Sequence, residues 1–160
     1  IAIGLLPLAL VFDVLDGYVA RLHRTRQSRL GADLDSLADV ISFGVAPAAL
    51  GYTLGLRGGW DVACLVYFVV CGVSRLARFN ATASQLTNAV TGKVRYFEGT
   101  PIPTSILIVG LWAIALWLGH TQADIWFGHV RLGPATLHLL SLIYVVSGSA
   151  MISTIRIPKP

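Results

Sequence analysis

The sequence predicts an all-α fold, a polytopic bundle of membrane helices, and three observations carry that prediction. Of its 160 residues 55% are hydrophobic and only 12% charged, where soluble domains carry about 25% charge. Its mean hydropathy is +0.72, and its apolar residues gather into five stretches near the ~20 residues that a hydrocarbon core of about 30 Å demands. Ten of the twelve basic residues sort to one side of those stretches, as the positive-inside rule requires.

The five stretches are residues 2–20, 37–56, 60–76, 102–119 and 135–154. The first is interrupted by acids near its end, and it opens at Ile1 with no basic flank. A further helix is therefore expected before it, and a signal peptide is not. Gly58-Gly59 is expected to turn the chain between the second and third helices. A polar loop from Phe79 to Thr100 leads to Pro101 and Pro103, which suit the first turn of the fourth helix, where a missing amide hydrogen costs little. Gly133-Pro134 is expected to mark the start of the fifth helix. Residues 1–160 thus form one membrane domain, with neither low-complexity tract nor soluble module.

Arg21, Arg24, Arg26 and Arg29 follow the first helix, Arg75, Arg78, Lys93 and Arg95 the third, and Arg156 and Lys159 the fifth. Arg57 and Arg131 alone lie in the opposite loops. This places the Arg-rich loops and the C-terminus in the cytoplasm, and the net charge of +4 reads as topology and attraction to anionic lipid rather than nucleic-acid binding. Cys64 and Cys71, about two turns apart on one helix, are too distant for a disulfide and read as apolar fillers. The four histidines, His23, His120, His129 and His138, show no ligand spacing.

Five of the eight carboxylates fall between Phe12 and Pro47, in the order Asp13-x-x-Asp16-Gly17-x-x-Ala20-Arg21, then Gly31-x-x-x-Asp35-x-x-x-Asp39, with Asp33 off the stripe. At 100° per residue, Asp13, Asp16, Gly17, Ala20 and Arg21 share an arc of roughly 140°. Gly31, Asp35 and Asp39 advance by only about 40° per step and form a second stripe. Small residues alone commonly serve tight helix packing, but helix-to-helix adhesion is usually the work of Ser, Thr or Asn. Each Asp costs about 2.5–3.5 kcal/mol at a helix centre, so four of them point to function. Two acid stripes on neighbouring antiparallel helices can converge on cations. Their hard oxygen donors suit Mg²⁺ or Mn²⁺, held together with substrate phosphates, and Gly17, Ala20 and Gly31 would let a ligand approach the backbone.

This pattern resembles the signature of the CDP-alcohol phosphotransferases at every defining position. The resemblance implies a six-helix membrane fold, of which this chain would lack the first helix, with a dinuclear metal site near the cytoplasmic face. It makes Asp13, Asp16 and Asp35 metal ligands, Asp39 a further ligand and the general base, and Gly17, Ala20, Arg21, Ser28 and Gly31 the CDP-diacylglycerol contacts. The run Leu34-Asp35-Ser36-Leu37-Ala38-Asp39-Val40-Ile41-Ser42-Phe43-Gly44 resembles the branch of that family whose acceptor is serine. Arg75-Leu76-Ala77-Arg78-Phe79-Asn80 and Tyr96-Phe97-Glu98-Gly99 through Pro103 do likewise, while Thr100 departs from the bulkier apolar residue common there.

An acceptor carboxylate needs a cationic fork, for which Arg75 and Arg78, with Asn80 beside them, are the candidates; topology alone would also account for both arginines. The resemblance also implies a homodimer. Rival readings are transfer to glycerol 3-phosphate or an inositol phosphate, a divalent-cation transporter, and a non-catalytic assembly subunit. A transporter would set its acids near the midplane of broken helices, and intact Asp39 argues against a non-catalytic subunit.

Overall fold

The computed structural model describes residues 2–22, 29–86, 96–98, 105–119, 128–153 and 156–158. Helix α1 spans Ala2–Leu22 and α2 Arg29–Asp39; α2 continues through a π-helical turn, Val40–Val45, into α3, Ala46–Leu54. Helix α4 spans Gly59–Leu86, α5 Ile106–Trp117 and α6 Leu142–Ile152, the last preceded by a 3₁₀ turn at Leu139–Ser141. Helix occupies much of each predicted stretch, but α2 begins at Arg29, ahead of the second, and the fifth opens on a strand. Two continuous helical runs, Asp33–Leu54 and Gly59–Arg78, are long and apolar enough to cross a membrane, whereas Gly4–Asp13, Ile106–Trp117 and Leu139–Ile152 are shorter. The expectation of five spanning helices is met by two at full length among the described residues.

The purely helical expectation needs correcting at two places. Strand β1 (Tyr96–Glu98) pairs antiparallel with β4 (Arg156–Pro158), and β2 (His129–Leu132) pairs with β3 (Ala135–His138). Gly133-Pro134 is accordingly the turn of a hairpin, not a helix start. A two-residue hairpin turn needs positive φ, and Gly133 supplies it at 67°. The alternation in the sequence was too short to announce a strand. The polar loop expected from Phe79 also begins later, because α4 runs on to Leu86. Pro101 and Pro103 lie outside the described residues.

The π turn has a local cause. Pro47 has no amide hydrogen and its ring crowds the carbonyl four residues back, so an α ladder cannot run through Phe43 unaltered. The backbone widens instead, and the Ala46 amide donates to Ile41, five residues back. At its far end α3 stops at Gly55, whose φ of 135° no side-chain-bearing residue adopts comfortably; Leu56 N–H reaches Gly51 C=O at 3.0 Å and Gly55 N–H reaches Tyr52 C=O at 3.3 Å.

Tyr144 ties the core. Its hydroxyl donates to Pro47 C=O at 2.8 Å and accepts from Trp112 Nε1 at 2.9 Å, and its ring stands edge-on to Phe68 at 5.3 Å. One residue of α6 thereby joins α3, α4 and α5, amid Leu65, Val109, Leu140 and Met151. Gly51 is required there, since a Cβ would lie 2.5 Å from the Tyr144 hydroxyl. Gly148 lets α6 lie against Cys71 and Phe68 of α4. Both cysteines are free, and Cys71 is buried, as expected of an apolar filler.

Candidate active site

Helix α1 packs against the π turn and α3, which brings its acid-bearing end beside the end of α2. The Asp39 side chain hydrogen-bonds to Asp13, with Asp35 close enough for electrostatic coupling. Asp13 and Asp39 therefore meet across two helices, with Asp35 near enough to couple to Asp39. Asp35 is exposed, while Asp13 and Asp39 are half-buried. The side chain of the fourth predicted ligand, Asp16, lies outside the described residues, as do those of Ala20 and Arg21; these three and Gly17 are described only as backbone of α1. Ser28 lies wholly outside them, and Gly31 is exposed on the first turns of α2.

Two carboxyl groups can share a hydrogen bond only with a proton between them, and a divalent cation binds the same oxygens in its place. The donor set fits Mg²⁺ or Mn²⁺, both of which take carboxylate oxygen together with phosphate and water. Among the described residues, no group of three or more His, Cys, Asp or Glu side chains is placed to hold a metal ion.

Helix α4 supplies the cations, and here the structure separates two arginines that their spacing left equivalent. Arg75 lies within electrostatic range of the Asp39 carboxylate, and its Nε is buried without a hydrogen-bond partner. Arg78 instead directs Nη1 at the Ile152 carbonyl at 3.5 Å, near the end of α6. Asn80, predicted beside the acceptor, donates its amide to the Ser36 hydroxyl at 3.0 Å. Ser36 sits between Asp35 and Asp39, so this bond links the acid helix to the arginine helix.

A second polar cluster was missed. Asp61, fully buried near the start of α4, accepts from Gly58 N–H at 2.9 Å and His138 N–H at 2.7 Å, and its Oδ2 lies 2.6 Å from His138 Nδ1. The one sequence signal was an acid inside an apolar run. Nothing local names a partner 77 positions away.

The chain matches the CDP-alcohol phosphatidyltransferase family over residues 1–148. It is 46% identical over 156 residues to a CDP-diacylglycerol–serine O-phosphatidyltransferase of Saccharomyces cerevisiae, covering 96% of this chain and 56% of that protein. Proteins of the same name from Helicobacter pylori and Methanocaldococcus jannaschii are 42% and 35% identical, over 99% and 98% of this chain and 60% and 63% of their own lengths. The chain thus spans little more than half the length of these relatives. No solved structure matches it significantly. Acid signature, helical fold and match over nearly the whole sequence agree: the chain belongs to the CDP-alcohol phosphatidyltransferase family.

Proposed function

We propose that this chain carries the catalytic domain of a phosphatidylserine synthase, which transfers a phosphatidyl group from CDP-diacylglycerol to L-serine and releases CMP. The observation that carries the reading is the contact of Asp13 with Asp39 across two helices, with Asp35 and Arg75 within electrostatic range of Asp39. Carboxylates there can hold the cations that a diphosphate needs, and a guanidinium stands ready for an anionic acceptor. The names of the relatives support serine as that acceptor.

Members of the family are generally metal-dependent, and Asp13, Asp16, Asp35 and Asp39 would hold one or two Mg²⁺ or Mn²⁺ ions. Bound there, the ions would neutralise the diphosphate and stabilise the departing CMP. Gly17, Ala20 and Gly31 leave room for the cytidine head, and Arg21 and Ser28 contact it. Asp39 takes the proton from the serine hydroxyl as that oxygen attacks the phosphorus bearing diacylglycerol. A new P–O bond forms, the anhydride P–O bond breaks, and CMP leaves with the bonding electron pair. Arg75 holds the serine carboxylate through a charge-assisted fork.

The arginine distribution supports a site at the cytoplasmic face of the cell membrane, and the family resemblance supports a homodimer. The test is an acceptor screen on the purified protein with CDP-diacylglycerol and Mg²⁺ or Mn²⁺. CMP release should follow serine addition. Release with glycerol 3-phosphate or an inositol phosphate, and not with serine, would reassign the acceptor; release with none would return the chain to the non-catalytic reading.

A further inference from the structure

At the opposite end of α4, about 21 Å from Arg75 by the helical rise over the 14 residues from Asp61, two histidines meet. His129 and His138 lie nine positions apart, a separation that means nothing on a helix. Hairpin register places them directly opposite each other. The backbone N–H of His138 donates to Asp61 rather than to the ladder, so this is a non-hydrogen-bonded pair, the kind whose side chains lie closest and on one face. Their ring centroids are 5.7 Å apart with the planes tilted by 50°.

Two imidazoles that share a metal at about 2.0–2.1 Å have centroids roughly 5 Å apart. A small side-chain rotation brings His129, which is exposed, to that distance. His138 is already oriented. Its Nδ1 lies 2.6 Å from Asp61 Oδ2, and hydrogen bonds from Gly58 N–H and His138 N–H fix that carboxylate in turn. In the tautomer that donates Nδ1–H to the carboxylate, Nε2 carries the lone pair that a metal would take. A carboxylate behind a histidine in this way is the usual orienting arrangement for a metal-binding imidazole.

We propose that His129 and His138 form a binding site for a borderline divalent transition-metal ion, Zn²⁺ or Cu²⁺, with Asp61 orienting His138 and water filling the remaining positions. Imidazole nitrogen favours these ions over Mg²⁺ and Mn²⁺, which suit the oxygen donors of the acid cluster. The two ends of the molecule therefore select different metals. Because the site bridges β2 and β3 and leans on α4 through Asp61, an ion bound there would hold the hairpin against the bundle and stabilise it by mass action.

The test uses the full chain in detergent, with excess Mg²⁺ to occupy the oxygen site. One equivalent of Cu²⁺ is added, and the nitrogen hyperfine structure of its electron paramagnetic resonance spectrum is read. Two coordinated nitrogens are expected in the wild type and one in His129→Gln, whose exposed position leaves the fold unburdened. Zn²⁺ should raise the wild-type melting midpoint, and His129→Gln should bind Zn²⁺ at least ~100-fold more weakly, because the second ligand acts at high effective concentration. A wild-type spectrum without two nitrogens, or a His129→Gln variant with unchanged nitrogen count and Zn²⁺ affinity, would overturn the proposal.

Discussion

Asn80 donates its side-chain amide to the Ser36 hydroxyl at 3.0 Å across 44 positions of sequence. Ser36 is flanked by Asp35 and precedes Asp39 by one turn, while Asn80 follows Arg75 by little more than one. The bond thus fixes how the acid stripe of α2 faces the cationic side of α4. It also gives Asn80 a partner other than the acceptor.

If Asn80 positions the acid helix through this bond, Ser36→Ala and Asn80→Ala should each lower kcat by a similar factor. The double variant should be little worse than either single one, because both remove the same interaction. A rise in the serine KM for Asn80→Ala alone would instead put its amide on the acceptor.

Arg75→Gln should raise the serine requirement by roughly ten- to a hundredfold and leave CDP-diacylglycerol affinity nearly unchanged, the scale of a charge-assisted pair worth about 1.5–3 kcal/mol. Arg78→Gln should do much less, since Arg78 turns to the Ile152 carbonyl. Serine titrations of CMP release distinguish the two. Equal effects would mean that the nearness of Arg75 to Asp39 has no part in acceptor binding.

Asp39→Asn should abolish transfer while the protein still binds CDP-diacylglycerol, because a general base acts on the chemical step. Equilibrium binding of the lipid nucleotide measures this directly. Parallel loss of binding would make Asp39 chiefly a metal ligand.

The acid cluster was legible because helical periodicity is local: Asp35 and Asp39 are one turn apart whatever the rest of the chain does, and a charged residue in an apolar run is conspicuous. The arginines were legible as a pair but not as individuals. Their i, i+3 spacing put both on one face, and only the packing of α6 against α4 showed that Arg78 reaches the Ile152 carbonyl while Arg75 keeps an unpartnered Nε near Asp39. The π turn could have been suspected from Pro47, which lies inside the apolar stretch 37–56. The hairpin could not. His129 and His138 are neighbours only because Gly133 reverses the chain, and the Asp61 contact depends on long-range packing that no window of sequence contains.

Asp61 gives the sharpest test of that long-range packing. It is fully buried and accepts two backbone N–H groups while pairing with the His138 ring. In Asp61→Asn the amide side of the new residue must face a donor, leaving at least one buried N–H group unsatisfied, at a cost of about 1–3 kcal/mol. His138→Gln should cost less, because the backbone N–H of residue 138 still reaches the carboxylate. The double variant should be less destabilised than the sum of the singles, since once Asp61 is gone the ring of His138 has already lost its partner. Thermal melts of the four proteins in detergent, without added metal, measure the coupling. Strict additivity would mean that the 2.6 Å contact between Oδ2 and Nδ1 contributes nothing to holding β3 against α4.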